Sequence, residues 1–172
     1  MEKSNIIDIS TVEQAVKGVV SYVKTWTQSE LENVIRQSIK EGHPIILNLG
    51  RKGYLVGNCA IDLCNKRWWR LRFRFSEQEY LFTNKVSAIC FAYYNQIGRH
   101  DRADRILKED DDVARLTIKT EHYYHRYQQA QKKKNVHRTD LFLVRYQESS
   151  LRLSASKSLL EKTLKSAKYI KF

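Results

Sequence analysis

The decapeptide Lys66–Phe75 (KRWWRLRFRF) holds five basic residues and no acid. Read as a strand from Arg67 to Phe75, its alternation sends Trp69, Leu71, Phe73 and Phe75 to one face. Trp68, Arg70, Arg72 and Arg74 fall on the other. The first set is core, and the second is an arginine ladder led by an indole, with Lys66 and Arg67 adding charge at its start. Guanidinium groups pair bidentately with phosphate and an indole face stacks a nucleobase, so the implied chemistry is capture of a single-stranded nucleic acid. An acidic protein surface would meet the same groups. The plain alternative is a solvated sheet face whose arginine stems cover apolar surface.

A second set of cations lies toward the C-terminus. Lys132, Lys133 and Lys134 are adjacent, and Arg138, Arg145 and Arg152 recur every seven residues, which places them along one flank of a helix. Lys157, Lys162, Lys165, Lys168 and Lys171 continue the charge. Residues 113–172 hold fourteen Lys/Arg against four Asp/Glu, whereas residues 1–65 balance at seven each and 76–112 come to −3. The formal net charge of +12 is thus gathered in two patches, and a patterned basic surface implies a polyanionic partner. Nucleic-acid backbones, anionic lipid headgroups and acidic protein all have the right charge.

Signals for catalysis or metal binding are weak by comparison. Glu109, Asp110, Asp111 and Asp112 are consecutive, and neighbours in a helix do not converge, because only positions three or four apart share a face. Asp110 could join Arg102 or Arg105 and leave the others in water; the run is expected to form a self-paired face or to clasp the basic strand. Glu121, His122 and His125 miss the Glu-x-x-His spacing of carboxylate-bridged metal bundles, since Tyr124 stands at the third position. His100 and Asp104 stand four residues apart and are expected at the surface. Cys59, Cys64 and Cys90 lack a C-x-x-C spacing and read as buried or free thiols. There is no glycine-rich phosphate loop, no H-E-x-x-H and no G-x-S-x-G. The expectation is a non-enzyme with no cofactor and no metal.

The elements that must position these residues follow from periodicity. Ser10–Glu13 and Thr27–Glu30 are capping boxes, each opening an amphipathic helix; Val12, Ala15, Val16, Val19, Val20 and Val23 give the first its stripe. Period two then predicts strands at Ile45–Leu49, Tyr54–Leu63, Arg67–Phe75 and Tyr80–Phe82, a four-stranded antiparallel meander with Gly57 weakening the second strand. Thr83 is expected to cap a helix ended by Gly98. From Asp101 to about Lys133, Ile106, Val113, Thr120 and Tyr127 recur every seven residues, with Leu116, Tyr123 and Ala130 at the complementary spacing. Thr139 or Asp140 is the expected cap of a last helix whose apolar positions (Leu141, Val144, Leu151, Ala155, Leu159, Leu160, Leu164, Ala167) drift around it.

The predicted class is α+β: an N-terminal helical pair, the meander, then a helix and a long antiparallel helical hairpin. A domain of residues 1–98 precedes a basic hairpin of residues 99–172. No apolar run approaches the roughly 20 residues that span a bilayer, and MEKSNIIDIS lacks a signal region, so a soluble, cytoplasmic protein is expected.

Two stretches, FTNKVSAICFAYY (82–94) and LEKTLKSAKYIK (160–171), resemble uncharacterised small proteins of tailed phages of the T4-like marine type. The resemblance implies a role in DNA metabolism or in the particle, and no functional residues. Two readings result. The first is a non-enzymatic nucleic-acid-binding accessory protein, with Arg70, Arg72 and Arg74 on phosphates, Trp68 stacking and the Lys-rich hairpin extending the footprint. The second is a virion or assembly protein, whose basic face and tyrosines (Tyr123, Tyr124, Tyr127, Tyr146) pack on neighbouring subunits or on copies of itself.

Overall fold

The computed structural model describes residues 44, 46–73 and 76–167. In chain order these form β1 (Ile46–Asn48), a single 3-10 turn (Gly50–Lys52), β2 (Tyr54–Val56), β3 (Cys59–Cys64), β4 (Trp68–Phe73) and β5 (Glu79–Phe82). The helices α1 (Lys85–Gln96), α2 (His100–Lys132) and α3 (Val136–Lys165) follow. The class is α+β, with one antiparallel sheet in the order β1-β2-β3-β4-β5. The helical pair expected from the two capping boxes lies outside the described residues, as do Arg74 and Phe75.

The meander has one more turn than periodicity predicts. Tyr54–Leu63, expected as one strand, folds back at Gly57-Asn58, so that Val56 pairs with Cys59. Gly57 sits at φ +53°, and a Cβ there would fall 2.0 Å from Gln96 Oε1. Gln96 closes the turn: its Oε1 accepts from Asn58 N–H at 2.9 Å and its Nε2 donates to Val56 O at 2.7 Å. A lone glycine in a strand pattern marks a close approach as readily as a bulge, and here it marks the approach of a helix.

One sheet face packs on α1. Val56, Cys59, Ile61, Leu71 and Phe82 from the strands meet Ala88, Ile89, Cys90, Phe91 and Ala92 from the helix, all buried. The alternation expected of the basic strand holds over β4: Leu71 is buried and Trp69 and Phe73 pack against the core. Asn84, one residue after the expected cap, starts α1, its Oδ1 accepting from Ser87 N–H at 2.9 Å. Gly98, at φ +74°, follows the end of the helix as expected.

The helices α2 and α3, of 33 and 30 residues, form the long antiparallel hairpin. Its turn passes through Lys134 at φ +52°, and Asn135, rather than Thr139 or Asp140, caps α3 by accepting from Arg138 N–H at 3.0 Å. On α2, Ile106, Val113, Thr120 and Ala130 are buried, with Leu116, Tyr123 and Tyr127 half-buried, as the sevenfold spacing predicts. The seam of α3 differs from expectation. It uses Phe142, Tyr146, Ser149, Leu153, Ser156, Leu160 and Thr163, while Leu141, Val144, Leu151 and Leu159 remain exposed. Ala103 and Ile106 of α2, together with Leu164 and Ala167 at the far end of the chain, join the same core as the sheet and α1. The core of the sheet and α1 thus runs on past residue 98, while Val113, Ala130 and Leu160 are buried along the hairpin outside it.

Thr120 Oγ1 and Ser149 Oγ are 2.7 Å apart and buried, which pins the hairpin's register in its middle. Thr120→Val strands the Ser149 hydroxyl and is expected to cost about 1–3 kcal/mol. Adding Ser149→Ala removes both polar groups and should recover most of that loss. Urea unfolding midpoints of the single and double variants check the pair; equal destabilisation in both would show that the bond does not matter.

Candidate nucleic-acid interface

The arginine ladder forms, and it already has a counter-ion. Asp62 on β3 stands directly across from Arg70 on β4, on the same face of an antiparallel pair. Arg70 Nη2 donates to Asp62 Oδ2 at 2.8 Å and Arg72 Nη2 to Oδ1 at 3.1 Å. The hydrogen bond and charge of Asp62 raise the Arg70 pKa, so the guanidinium holds its proton more firmly. Arg67 turns away: it pairs with Glu121 of α2 through both carboxylate oxygens, at 2.8 and 2.9 Å, and its guanidinium lies 5.1 Å from the Trp68 ring. Lys66 is exposed at φ +57° in the β3–β4 turn. Phosphate reaching this face would have to displace carboxylates from three of its cations.

The hairpin is different. With Thr120 opposite Ser149, the residues just before the inward stripe of each helix run along one side of the seam. On α2 these are Lys119, Arg126 and Lys133, and on α3 Arg138, Arg145 and Arg152, each row at sevenfold spacing. All six are exposed, and none has an ion-pair partner among the described residues. Lys119, Tyr123, Arg145 and Arg152 line one shallow groove between the helices, with a single acid, Glu148, on its wall. Lys119 Nζ is 5.9 Å from the Tyr123 ring centroid. Facing flanks of paired helices usually carry opposite charges; here cation faces cation. Repeats of seven residues are about 10 Å apart, and the two antiparallel rows together set a positive charge every ~5 Å along the crease.

The sequence singled out Arg138, Arg145 and Arg152 by their spacing and Lys133 by its lysine run, but not Lys119 and Arg126, whose shared sevenfold period with Lys133 was the available signal. Lys132 and Lys134 are exposed at the hairpin tip beside Lys133. The two basic patches do not converge. Glu121, which holds Arg67, is two residues from Lys119 and so about 200° around α2, leaving the sheet ladder and the hairpin groove on opposite flanks of that helix.

The four acids of the run meet four different surroundings. Glu109 pairs with Arg105 at 2.9 Å, Asp112 is bonded by Arg115, and Asp111 is exposed. Asp110 joins neither Arg102 nor Arg105, contrary to expectation, and the run does not clasp β4. Its buried carboxylate accepts Thr83 N–H at 2.7 Å and Thr83 Oγ1–H at 2.8 Å, tying the end of β5 to α2. Burial pushes this carboxyl above its ordinary 3.8, against the hydrogen bonds from Thr83 and Ser87. A raised carboxyl favours the fold while protonated. Stability contributed here is complete below pH ~3.8 and falls as pH rises through the higher folded value. Asp110→Asn is expected to flatten that fall, read as the wild-type-minus-variant difference in unfolding free energy from pH 4 to 7. A difference independent of pH would show that Asp110 does not titrate in that range.

Cys59 and Cys90 are buried, and burial pushes each thiol up to about 12, which removes thiolate character. No group of three potential metal ligands converges among the described residues, and no helix there is long and apolar enough to cross a membrane. No family model matches this chain, and no curated protein and no solved structure matches it.

Proposed function

We propose that this protein is a non-enzymatic nucleic-acid-binding accessory protein whose phosphate contacts come from the crease of the α2–α3 hairpin. One observation carries the reading: six exposed cations face one another along that crease with no ion-pair partner among the described residues. Like charges facing across a helical seam destabilise the pair. A polyanion laid along the crease relieves that repulsion and releases its own counterions. The ladder of Arg70 and Arg72, held by Asp62, is secondary in this reading, and Lys132 and Lys134 extend the footprint at the tip.

Fluorescence anisotropy of a labelled oligonucleotide, titrated at about 50 and 200 mM salt, tests it. Six phosphate contacts on a single strand give a slope of log K against log salt of about −4. Binding that is weak at both salts, or flat between them, would remove the reading.

A second reading rests on its own observation. Val144, Leu151 and Leu159 on α3 are 51%, 73% and 49% exposed, and with Leu141 they make an apolar strip beside the arginine row. An assembly protein, in a virion or elsewhere, would cover such a strip with a neighbouring subunit. Light scattering on the purified chain separates the two: a monomer that binds oligonucleotide tightly favours the first, and a defined oligomer with weak binding the second.

A further inference from the structure

We infer that the crease takes a single strand rather than a duplex, with a base stacked on Tyr123; the inference rests on the nucleic-acid reading above. The cations sit where a duplex does not reach them. A helix that reads duplex DNA enters the major groove, about 12 Å wide, and presents contacting groups from its outward crown. The outward crown of α3 carries Leu141, Val144 and Leu151, all exposed. Its arginines lie instead at the crease with α2, where the second helix stops α3 from entering a groove far enough for them to reach base edges or both phosphate walls.

The shape of the track points the same way. Lys133, Arg138, Arg126, Arg145, Lys119 and Arg152 alternate between two unbroken helices, so their charges follow one line. An extended single strand has one line of phosphates. The two strands of a duplex wind away from a straight edge after a few phosphates each, leaving much of the line unused.

An aromatic ring stands among the cations. Tyr123 lines the groove between Lys119 on its own helix and Arg145 and Arg152 across from it. It is half-exposed, and its hydroxyl has no hydrogen-bond partner among the described residues. Single-strand sites combine such a ring with a basic track, the ring stacking any base that the phosphate contacts bring over it. In duplex DNA the bases are already stacked on one another, and the ring would have no face to meet.

The test is anisotropy with a labelled 20-nucleotide single strand of mixed sequence and with its duplex, at about 100 mM salt. The wild-type chain is run beside Tyr123→Ala, Tyr123→Phe and Tyr123→Leu. Since Tyr123 also touches the seam, Tyr123→Leu keeps apolar bulk without an aromatic face, and circular dichroism checks the helices in each variant. The expected result is tighter binding of the single strand. Tyr123→Ala and Tyr123→Leu should each lose about fivefold to a hundredfold on it, with Tyr123→Phe close to wild type and duplex binding unmoved. Equal or tighter duplex binding, with Tyr123→Leu silent and Lys119, Arg145 and Arg152 still required, overturns the single-strand inference and leaves the nucleic-acid reading standing. No binding to either form overturns both.

Discussion

Replacing Lys119, Arg145 and Arg152 together by glutamine lowers affinity for a single strand about a hundredfold at 0.1 M salt and halves the salt slope, from about −4 to about −2. Counterion release sets the size of both changes. Each phosphate contact contributes ~0.7 to the slope, hence a factor of about 5 at 0.1 M relative to 1 M, and three are removed. The curves of variant and wild type should therefore converge near 1 M salt, which distinguishes lost charge from a damaged fold. Two companions sharpen the experiment. Arg70→Ala with Arg72→Ala deletes two cations that Asp62 already engages and should change affinity by less than about threefold, because neither is free to take a phosphate in the wild type. Glu148→Gln removes the acid from the groove wall and should tighten binding and steepen the slope. If the sheet pair outweighs the groove triple, the interface is the sheet and the hairpin assignment is wrong.

Phe91→Ala should be among the most damaging single changes to stability, at about 3–5 kcal/mol. Phe91 is buried at the centre of an aromatic group, its ring centroid 5.0 Å from that of Tyr80 and 5.3 Å from that of Phe82. Truncation removes the contact between α1 and β5 and leaves a hole that rigid neighbours cannot fill. For a chain of this size the loss lowers the melting temperature by roughly 6 to 20 °C. The matched control is Leu151→Ala on the hairpin surface, where the residue is 73% exposed and a change within ~1 kcal/mol is expected. The unfolding profile matters as much as its midpoint. Ala103 and Ile106 of α2 share the core with Phe91, so helical circular dichroism and the fluorescence of Trp68 and Trp69, isolated by Trp26→Phe, should fall together with and without Phe91→Ala. Separate transitions would mean that sheet and hairpin unfold as independent units.

Much of this architecture was readable in the sequence wherever an apolar period was strong. The heptads of Ile106, Val113 and Thr120 and the alternation of Trp69, Leu71 and Phe73 set both inward faces correctly. What escaped did so for identifiable physical reasons. The α3 seam is built on Ser149, Ser156 and Thr163, and small hydroxyl residues carry no hydrophobic signal although they allow close approach of two helices. The exposed Leu141, Val144 and Leu151 drew the stripe to the wrong side. Gly57 looked like a strand defect because the residue that closes its turn, Gln96, is 39 positions away. Asp62 was legible in principle. Once Cys64 and Trp68 flank a turn, Asp62 and Arg70 are cross-strand neighbours, but a lone acid carries little weight until the register is known. The same holds for the site: sevenfold spacing reveals a row of cations, and only the hairpin register shows that two rows meet.

The lack of any break in α2 has a consequence of its own. Ile106 is fixed in the core, and Lys132 at the other end of the same helix is about 39 Å away along its axis. With no break in the helix between them, the proposed reading makes the crease a ruler: the span of nucleic acid it would cover is set by residue count, not by adaptation to the ligand. Excising seven residues from each arm at matching positions would shorten it by about 10 Å and delete one cation from each row. The shortest oligonucleotide that saturates the protein should shrink in step.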